Sequence, residues 1–458
     1  MPSARCRPAT ILSACVALAA ATAAFGDVGA LVIRNARLFD GHDATLQEGV
    51  TIVIRDRRIA SIGHAPPPAD LPAIDAGGRV VIPGLIDAHA HPTLAVGIAG
   101  VRDADPGYVQ LRAAVEARRM LYRGFTTIRD VGGPAFGLKR AIDEGLVEGP
   151  RIFPSGAIIS QTGGHADFRQ RVALPRRASQ ESDALERLGY ALVADGPDEV
   201  LAAVREQLRL GATQIKLAAG GGISSEFDPI DSVQYDAAEL RAAVEAAADW
   251  GTYVTVHAYT PIAIRRAIEA GVRCIEHGHL IDEPTMKLLA ERGVFLSPQA
   301  FLFGGGYATL APRPAGARAA GPPEGGEHSG ERSKGERVAD GLDRMMTLAR
   351  KYKVKIAFGG DFFGSPAIYA AQSREFGARL KWFGSPEILR QATGLNGELL
   401  ALSGPRNPYG RVGVLEPGAL ADLLIVEGNP LEDIRILENP ERNLSVIVKD
   451  GRIVRSTL

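Results

Sequence analysis

The stretch GLIDAHAHPT, residues 84–93, ends an apolar run with two histidines that are separated by a single alanine. Alternate side chains of a β-strand point to the same side, so His89 and His91 are predicted to stand next to each other on one face. Two adjacent imidazoles are unfavourable in an apolar core, whereas neutral imidazoles are good ligands for metals such as zinc. Because short His-x-His matches also arise by chance, the meaning of this pair depends on the rest of the chain.

The middle of the chain contains further apolar segments that resemble this one. Eight segments are typical of buried strands, and amphipathic helical stretches such as AAELRAAVEAAADWG lie between most of them. The eight segments are VIPGLIDAHAH, FTTIRDVGG, RIFPSGAIIS, TQIKLAAGG, YVTVHAY, RCIEHGH, VFLSPQ and KIAFGGD. Eight β-then-α units predict an α/β protein with a (β/α)8 TIM-like barrel, and a doubly wound open sheet is the competing topology.

Both ends of the chain consist of short β-rich runs, such as ALVIRNARLFD near the start and LSVIVKDGRIV near the end. We therefore predict a small β-sandwich domain formed from residues 27–83 and 406–458, with the barrel, residues 84–405, inserted between them. Residues 304–337 are rich in glycine, proline and charge and have no apolar periodicity. They are predicted to form a flexible insertion, which is either a lid over the site or a disordered loop.

The first residues have the order of a secretory signal. Arg5 and Arg7 precede the apolar stretch ATILSACVALAAATAAF, so residues 1–26 are predicted to be a signal peptide and the protein to be secreted or periplasmic. A lipoprotein at Cys15 is the alternative. With the signal removed, Cys274 is the one cysteine left, no disulfide is expected, and no remaining stretch is long enough to span a membrane.

The overall composition is that of a soluble globular protein, with 46% hydrophobic and 23% charged residues. Lysine and arginine together number 52, against 53 acidic residues, so no excess of charge favours nucleic acid as a partner.

Polar residues collect at the C-terminal ends of the predicted strands, which in a barrel meet at one mouth where catalytic residues lie. Five of the nine histidines of the chain fall on three of these ends. The first strand ends in His89 and His91, the fourth carries Lys216, the fifth His257, the sixth His277 and His279, and the eighth Asp361.

Four histidines and one aspartate exceed the ligand set of a closed tetrahedral zinc site, but they suit two divalent ions if an anionic group lies between them. Lys216 offers such a group, because a buried lysine loses basicity and can react with CO₂ to form a carbamate. The alternatives are a conventional Lys216 paired with a carboxylate, a turn aspartate at Asp361, and a supporting or purely structural His279.

Taken together, GLIDAHAH, GFTTIRDVGG, TGGHAD, QIKLAAGG, VTVHAY, CIEHG and FGGD resemble the motifs of the metal-dependent amidohydrolase superfamily. The chain is similar in particular to the prolidase and carboxypeptidase-like branch, which is related to imidazolonepropionase and includes ochratoxin-hydrolysing amidases. The segment GVLEPGALADLLIVEGNPL also matches the closing sandwich of that family. The resemblance covers the chain after the signal, apart from residues 304–337.

The resemblance implies which residues act as ligands. One ion, expected to be zinc, is implied to be held by His89, His91 and Asp361 and a second by His257 and His277, with carboxylated Lys216 bridging the two. Asp361 is implied to be the catalytic residue that moves a proton to the leaving nitrogen. Gly360 departs from the pattern, since family members usually have a threonine there, and this change could alter the orientation of Asp361.

The same resemblance implies that His165, in TGGHAD, and Tyr259 contact the carbonyl or carboxylate of the substrate; a structural loop histidine and a packing tyrosine are the alternative. The implied substrates are N-acyl amino acids or short peptides with a free C-terminal carboxylate, including prolidase-type dipeptides and ochratoxin A. We expect a homo-oligomer that acts on such small molecules. A cyclic-amide hydrolase of imidazolonepropionase type and a non-catalytic metal-binding barrel are the rival interpretations.

Overall fold

A computed structural model describes residues 29–66, 70–174, 182–306, 310 and 333–458. The strands are β1 Leu31–Leu38, β2 Gln47–Arg55, β3 Arg58–Gly63, β4 Ala73–Asp75, β5 Val80–Pro83, β6 Leu85–Ala90, β7 Phe125–Asp130, β8 Arg151–Pro154, β9 Ile158–Ser160, β10 Ala191–Val193, β11 Ile215–Ala218, β12 Val254–Ala258, β13 Cys274–His277, β14 Phe295–Ser297, β15 Leu423–Val426, β16 Leu444–Lys449 and β17 Arg452–Ser456.

The α-helices are α1 Gly97–Asp103, α2 Pro106–Tyr122, α3 Phe136–Asp143, α4 Ala184–Arg187, α5 Pro197–Leu210, α6 Ala237–Asp249, α7 Pro261–Ala270, α8 Glu283–Glu291, α9 Lys334–Lys351, α10 Pro366–Tyr369, α11 Arg374–Arg379, α12 Ser385–Arg390, α13 Asn396–Ala401 and α14 Pro440–Asn443. Short 3-10 or π turns lie at Pro92–Leu94, Leu302–Gly306, Gln391–Leu395, Gly404–Arg406 and Ile434–Glu438.

The two ends of the chain form one sheet, where the sequence predicts a small β-sandwich. Its strand order is β17-β16-β15-β5-β1-β2-β3, with β4 also paired to β1. The C-terminal strand β15 pairs antiparallel with β5, and apolar residues from both ends, such as Ile33 and Ile425, share one buried cluster. A small sheet domain built from both termini is thus confirmed. No helix within the described ranges combines the length and hydropathy that a bilayer crossing requires.

The middle of the chain contains two parallel sheets flanked by helices. One has the order β6-β7-β8 and the other the order β10-β9-β11-β12-β13-β14. Backbone hydrogen bonds join their edges: the Thr213 amide donates to the Pro154 carbonyl over 2.8 Å, and the Ala88 amide donates to the Phe358 carbonyl over 2.8 Å. The segment around Phe358 also meets β14, where Ala357 donates to Leu296 over 2.9 Å. The mixed α/β class is confirmed, and the closure of the barrel stays a prediction.

The helices begin and end where the sequence carries capping signals. Asp236 and Glu239 form a reciprocal capping box at the start of α6. Gly211 and Gly271 follow α5 and α7 in the left-handed conformation that commonly ends a helix, each with a φ of 102°. These caps fix the lengths of the connections that return the chain to the next parallel strand.

Three local features differ from the sequence prediction. RIFPSGAIIS forms two strands, β8 and β9, instead of one. KIAFGGD contributes a single bridge, Leu296 to Ile356, and no regular strand. Residues 334–337, predicted to belong to the flexible insertion, are helical because Ser333 and Glu336 form a capping box that starts α9. Most of the insertion, the predicted signal at residues 1–26 and Cys15 lie outside the described residues.

Candidate metal centre and active site

His89 and His91 lie on the same side of the chain at the end of β6 and face one carboxylate. Their ring centroids are 5.3 Å apart. The Oδ1 atom of Asp361 is 3.3 Å from Nε2 of His89 and 3.2 Å from Nε2 of His91. Two imidazole nitrogens and a carboxylate oxygen that converge in this way match the ligand preference of zinc and related ions.

His257 and His277 complete a continuous group of imidazoles. The His277 ring centroid is 5.0 Å from that of His89 and 4.5 Å from that of His257. His89, His277 and Asp361 each offer one ligand atom, and these atoms lie within 4.8 Å of one another. Residues predicted from four separate strand ends therefore occupy one buried centre, although their role as metal ligands stays a prediction.

Each of these four rings uses one nitrogen to contact a protein oxygen. Nδ1 of His89 lies 2.8 Å from Glu276, Nδ1 of His91 lies 3.0 Å from the Gly132 carbonyl, Nε2 of His257 lies 3.1 Å from the Gly221 carbonyl, and Nδ1 of His277 lies 2.7 Å from Oε1 of Gln299. A ring nitrogen that donates to such an acceptor leaves the other nitrogen with a free lone pair when the ring is neutral. Protein oxygens that accept a hydrogen bond from the second ring nitrogen in this way are typical of metal-binding histidines.

The backbone bends at two of the polar residues. His277 and Asp361 have positive φ angles of 75° and 55°, in the left-handed region that side chains other than glycine rarely adopt. Strict alternation along β13 would place Glu276 and His277 on opposite sides. The bend at His277 instead allows both side chains to contact His89. Such strain is concentrated at functional sites.

Lys216 is buried on β11 with 3% of its surface exposed. Its neighbours Ile215 and Leu217 belong to the apolar cluster between the strands and the helices, so alternation turns Lys216 to the opposite side. Burial lowers the pKa of the Lys216 amine, although the charges of Glu276 and Asp361 act in the opposite direction. A less basic amine is more often present in the unprotonated form that reacts with CO₂.

Burial and charge set the protonation of the other groups. Burial lowers the pKa values of His257 and His277 well below the usual range, and neighbouring histidines lower them further. Burial alone would raise the pKa of Asp361, but His89 and His91 outweigh it and hold that pKa well below its usual value. Two neutral imidazoles and an ionised carboxylate are the protonation states that a divalent ion requires of its ligands.

A buried ion pair that sequence reasoning missed supports His89. Glu276 accepts hydrogen bonds from Nη2 of Arg129 over 2.6 Å and from Thr255, besides its 2.8 Å contact with His89. Arg129 also donates to the Ala88 carbonyl over 2.6 Å. Both residues occur in the motifs GFTTIRDVGG and CIEHG, but nothing in their local spacing shows that they pair.

The predicted substrate-binding residues lie directly beside these imidazoles. The His165 ring stacks on His257 with centroids 4.0 Å apart, and Tyr259 meets the His257 and His277 rings at 4.9 Å and 5.2 Å. His279 is farther away and packs against Phe303 at 4.5 Å; burial lowers its pKa to about 3. His165 and Tyr259 are thus brought to the centre, whereas their contact with a substrate stays a prediction.

Comparison with known proteins relates the chain to a family of hydrolases. The amidohydrolase family model matches residues 80–318. Ochratoxinase from Aspergillus niger is 30% identical over 456 residues, which cover 94% of this chain and 88% of the relative. A prolidase solved in complex with N-methylphosphonate-L-proline is 36% identical with a TM-score of 0.81, covering 93% of this chain and 100% of that one. A Xaa-Pro dipeptidase solved with methionine in its active site is 31% identical with a TM-score of 0.79, again covering 93% and 100%.

Proposed function

Because the chain belongs to the amidohydrolase family, it is a hydrolase that acts on C–N bonds, and we propose that it uses two divalent metal ions to cleave N-acyl amino acids or short peptides. The bond cut is the last amide before a free C-terminal carboxylate. Amide or peptide hydrolysis follows from the family, whereas the number of ions and the substrate are the proposal.

The main support for the proposal is the buried centre of four imidazoles and Asp361. In each of these rings, one nitrogen is within hydrogen-bond distance of a protein oxygen. The other nitrogen of each ring offers a lone pair, and four such nitrogens together with a carboxylate are enough ligands for more than one ion. His89, His91 and Asp361 would hold one ion, and His257 and His277 the other. When bound, zinc-like ions lower the pKa of water and polarise the carbonyl that is attacked.

Lys216 is the group that would join the two ions. Its amine is buried and its pKa is lowered, so attack of the neutral nitrogen on CO₂ forms an N–C bond and releases one proton, giving an anionic carbamate. The carbamate would add the negative charge that a centre with one carboxylate otherwise lacks. Carboxylation of Lys216 is therefore part of the proposed binuclear site.

The residues of the chain supply proton transfer and orientation. Asp361 is ionised, because its pKa is held well below the usual range, so its carboxylate has the lone pairs with which it would accept a proton from the attacking water. It then donates this proton to the leaving nitrogen, which would otherwise depart as an unstable anion. The new C–O bond replaces the C–N bond, and the products are a carboxylic acid and an amine. His165 and Tyr259 would orient the carbonyl or carboxylate of the substrate.

The relatives favour the substrate class. Those named above are a prolidase with a proline-derived ligand, a Xaa-Pro dipeptidase and an ochratoxinase. We infer that X-Pro dipeptides, N-acyl amino acids with other C-terminal residues and ochratoxin A are the substrates to test. A cyclic-amide hydrolase of imidazolonepropionase type is the alternative, and it is expected to need one ion and no modified lysine.

We also propose that the two parallel sheets close into one (β/α)8 barrel over residues 84–405, with residues 27–83 and 406–458 as the second domain. The hydrogen bonds at Thr213–Pro154 and Ala88–Phe358 support closure. The end of β5 at Pro83 and the start of β6 at Leu85 support the first boundary. From the sequence alone, we propose in addition that a signal at residues 1–26 directs secretion and that the protein is a homo-oligomer.

The test is a hydrolysis screen with protein that lacks residues 1–26 and is reconstituted with zinc. The panel contains X-Pro dipeptides, N-acyl amino acids with basic or aromatic C-terminal residues, ochratoxin A, and each compound with its carboxylate amidated. We expect hydrolysis of the free acids, loss of activity with a chelator, and recovery on adding zinc. Equal hydrolysis of free and amidated compounds, or no hydrolysis of any free acid, would reject the proposed substrate class.

A further inference from the structure

The first residue of α9 reaches into the loop that follows β11. Nζ of Lys334 lies 3.1 Å from the Gly222 carbonyl, 3.0 Å from the Ser225 carbonyl and 2.5 Å from the Asp228 carbonyl. It also lies 3.4 Å from Oδ1 of Asp228. The ammonium group therefore stands in a cage of three backbone oxygens and one carboxylate, all from residues 222–228.

The same loop holds His165. Nδ1 of His165 lies 2.5 Å from Oγ of Ser225 and 3.4 Å from Oδ2 of Asp228, and the Gly222 amide donates to that Oδ2 over 2.6 Å. The ring rests directly on Gly222, because a Cβ atom there would lie 2.0 Å from Nδ1 of His165. The loop thus contacts the His165 imidazole on the ring nitrogen and beside Gly222, and it holds the ring where it stacks on His257.

We propose that Lys334 is a positioning residue: its ammonium group fixes the loop of residues 222–228, and this loop holds His165 against the metal centre. The inference rests on the proposed function in so far as His165 is taken to bind the substrate. Lys334 itself contacts none of the predicted metal ligands among the hydrogen bonds of the described residues.

The charge of the lysine explains why the loop needs it. Three carbonyl dipoles and a carboxylate that point at one place repel one another unless a cation lies between them. The Asp228 side chain is fully buried, so water cannot replace the missing cation easily. Lys334 is also held in place independently, because the capping box of Ser333 and Glu336 starts the helix there.

Arg337 offers a matched control on the next turn of the same helix. It is also cationic and lies 4.0 Å from Asp231, just beyond the loop, but 40% of its side chain is exposed and its partner is 68% exposed. An ion pair of this kind contributes little to structure. Arg337→Ala therefore tests for a general effect of lost positive charge near the loop.

The experiment compares wild type, Lys334→Ala and Arg337→Ala by hydrogen exchange and by hydrolysis of the best substrate. In Lys334→Ala we expect amide exchange in residues 222–228 to accelerate and KM to rise about tenfold while kcat changes little, because a binding contact and not the reacting group is displaced. Ammonium chloride should reverse both changes by filling the cage, and tetramethylammonium chloride at equal ionic strength should not. Arg337→Ala should match wild type in both measurements.

Each other outcome is decisive. Exchange in residues 222–228 of Lys334→Ala equal to that of Arg337→Ala overturns the proposal, as does a rise in KM that ammonium does not reverse. If wild type hydrolyses none of the substrates, the proposed function fails, and the exchange measurement with its ammonium reversal still judges the role of Lys334. The two failures are thereby distinguished.

Discussion

Replacing Glu276 by glutamine should destabilise the fold strongly, because it breaks a fully buried ion pair. Glu276 and Arg129 both have 0% of their side chains exposed, and their oxygen–nitrogen distance is 2.6 Å. Removal of one partner leaves the guanidinium charge buried and uncompensated, which costs about 3–5 kcal/mol. The glutamine oxygen can still accept one hydrogen bond, but it cannot replace the carboxylate for both Arg129 and His89. We therefore expect Glu276→Gln to lower the free energy of unfolding by about 3–5 kcal/mol.

Urea unfolding of chelator-treated protein, followed by tryptophan fluorescence, measures this change without a contribution from bound metal. The matched control is Glu206→Gln, which makes the same substitution in an ion pair with Arg209 whose side chains are 45% and 66% exposed. The control should unfold at the urea concentration of wild type. If Glu276→Gln and Glu206→Gln unfold at the same urea concentration, the reasoning about the buried pair is refuted.

Three further predictions concern the site and its surroundings. Gly222→Ala should displace His165, because Nδ1 of that ring would lie 2.0 Å from the new Cβ, and we expect KM to rise without loss of metal. Gly220→Ala, whose new Cβ would have its nearest contact at 3.5 Å, should match wild type. Equal KM values for the two variants in steady-state assays would contradict this prediction. Asp361→Asn should keep part of the metal and lower kcat by about 10²–10⁴-fold, and an active, metal-loaded variant in the same assay would refute its role. Burial raises the pKa of Asp130 well above its usual value, so the folded protein retains a proton that the unfolded chain releases above about pH 4, and stability falls as pH rises. In thermal unfolding at pH 4 and pH 8, Asp130→Asn should therefore lose less stability than wild type over this interval, and an equal loss would show that Asp130 does not titrate in this way.

The parts of the site that could be predicted are those set by the period of a strand. The spacing of His89 and His91, two residues apart, predicts that they share one face, and both face Asp361. The apolar run around Lys216 predicts that this lysine is buried, as it is, and the neighbouring Ile215 and Leu217 form the opposite, apolar side of β11. Local alternation is sufficient for such inferences.

The parts that could not be predicted depend on distant segments. Arg129 and Glu276 are 147 residues apart, and their pairing follows from the packing of the strands and not from either motif. The positive φ angles of His277 and Asp361 also have no signal in the motifs: histidine and aspartate tolerate this conformation better than most side chains, but they adopt it in only a small fraction of positions. Strain of this kind is invisible in a pattern of apolar and polar residues.

Two elements that differ from the sequence prediction are marked by local signals in the chain. Ser333 followed by Glu336 is the pattern of a capping box, and it indicates the start of α9 within the predicted insertion. Gly156, which has a φ of 74°, and Pro154 interrupt RIFPSGAIIS and explain why it forms two strands. The capping pair thus marks the start of α9, and the proline and glycine mark the break between β8 and β9.

The count of bound metal ions tests the central claim most directly. Elemental analysis of zinc-reconstituted protein lacking residues 1–26 should give two ions per chain for wild type and at most one for Lys216→Ala, because the variant cannot form the carbamate between them. One ion per chain in wild type, or an unchanged count in Lys216→Ala, would contradict a binuclear centre bridged by this lysine.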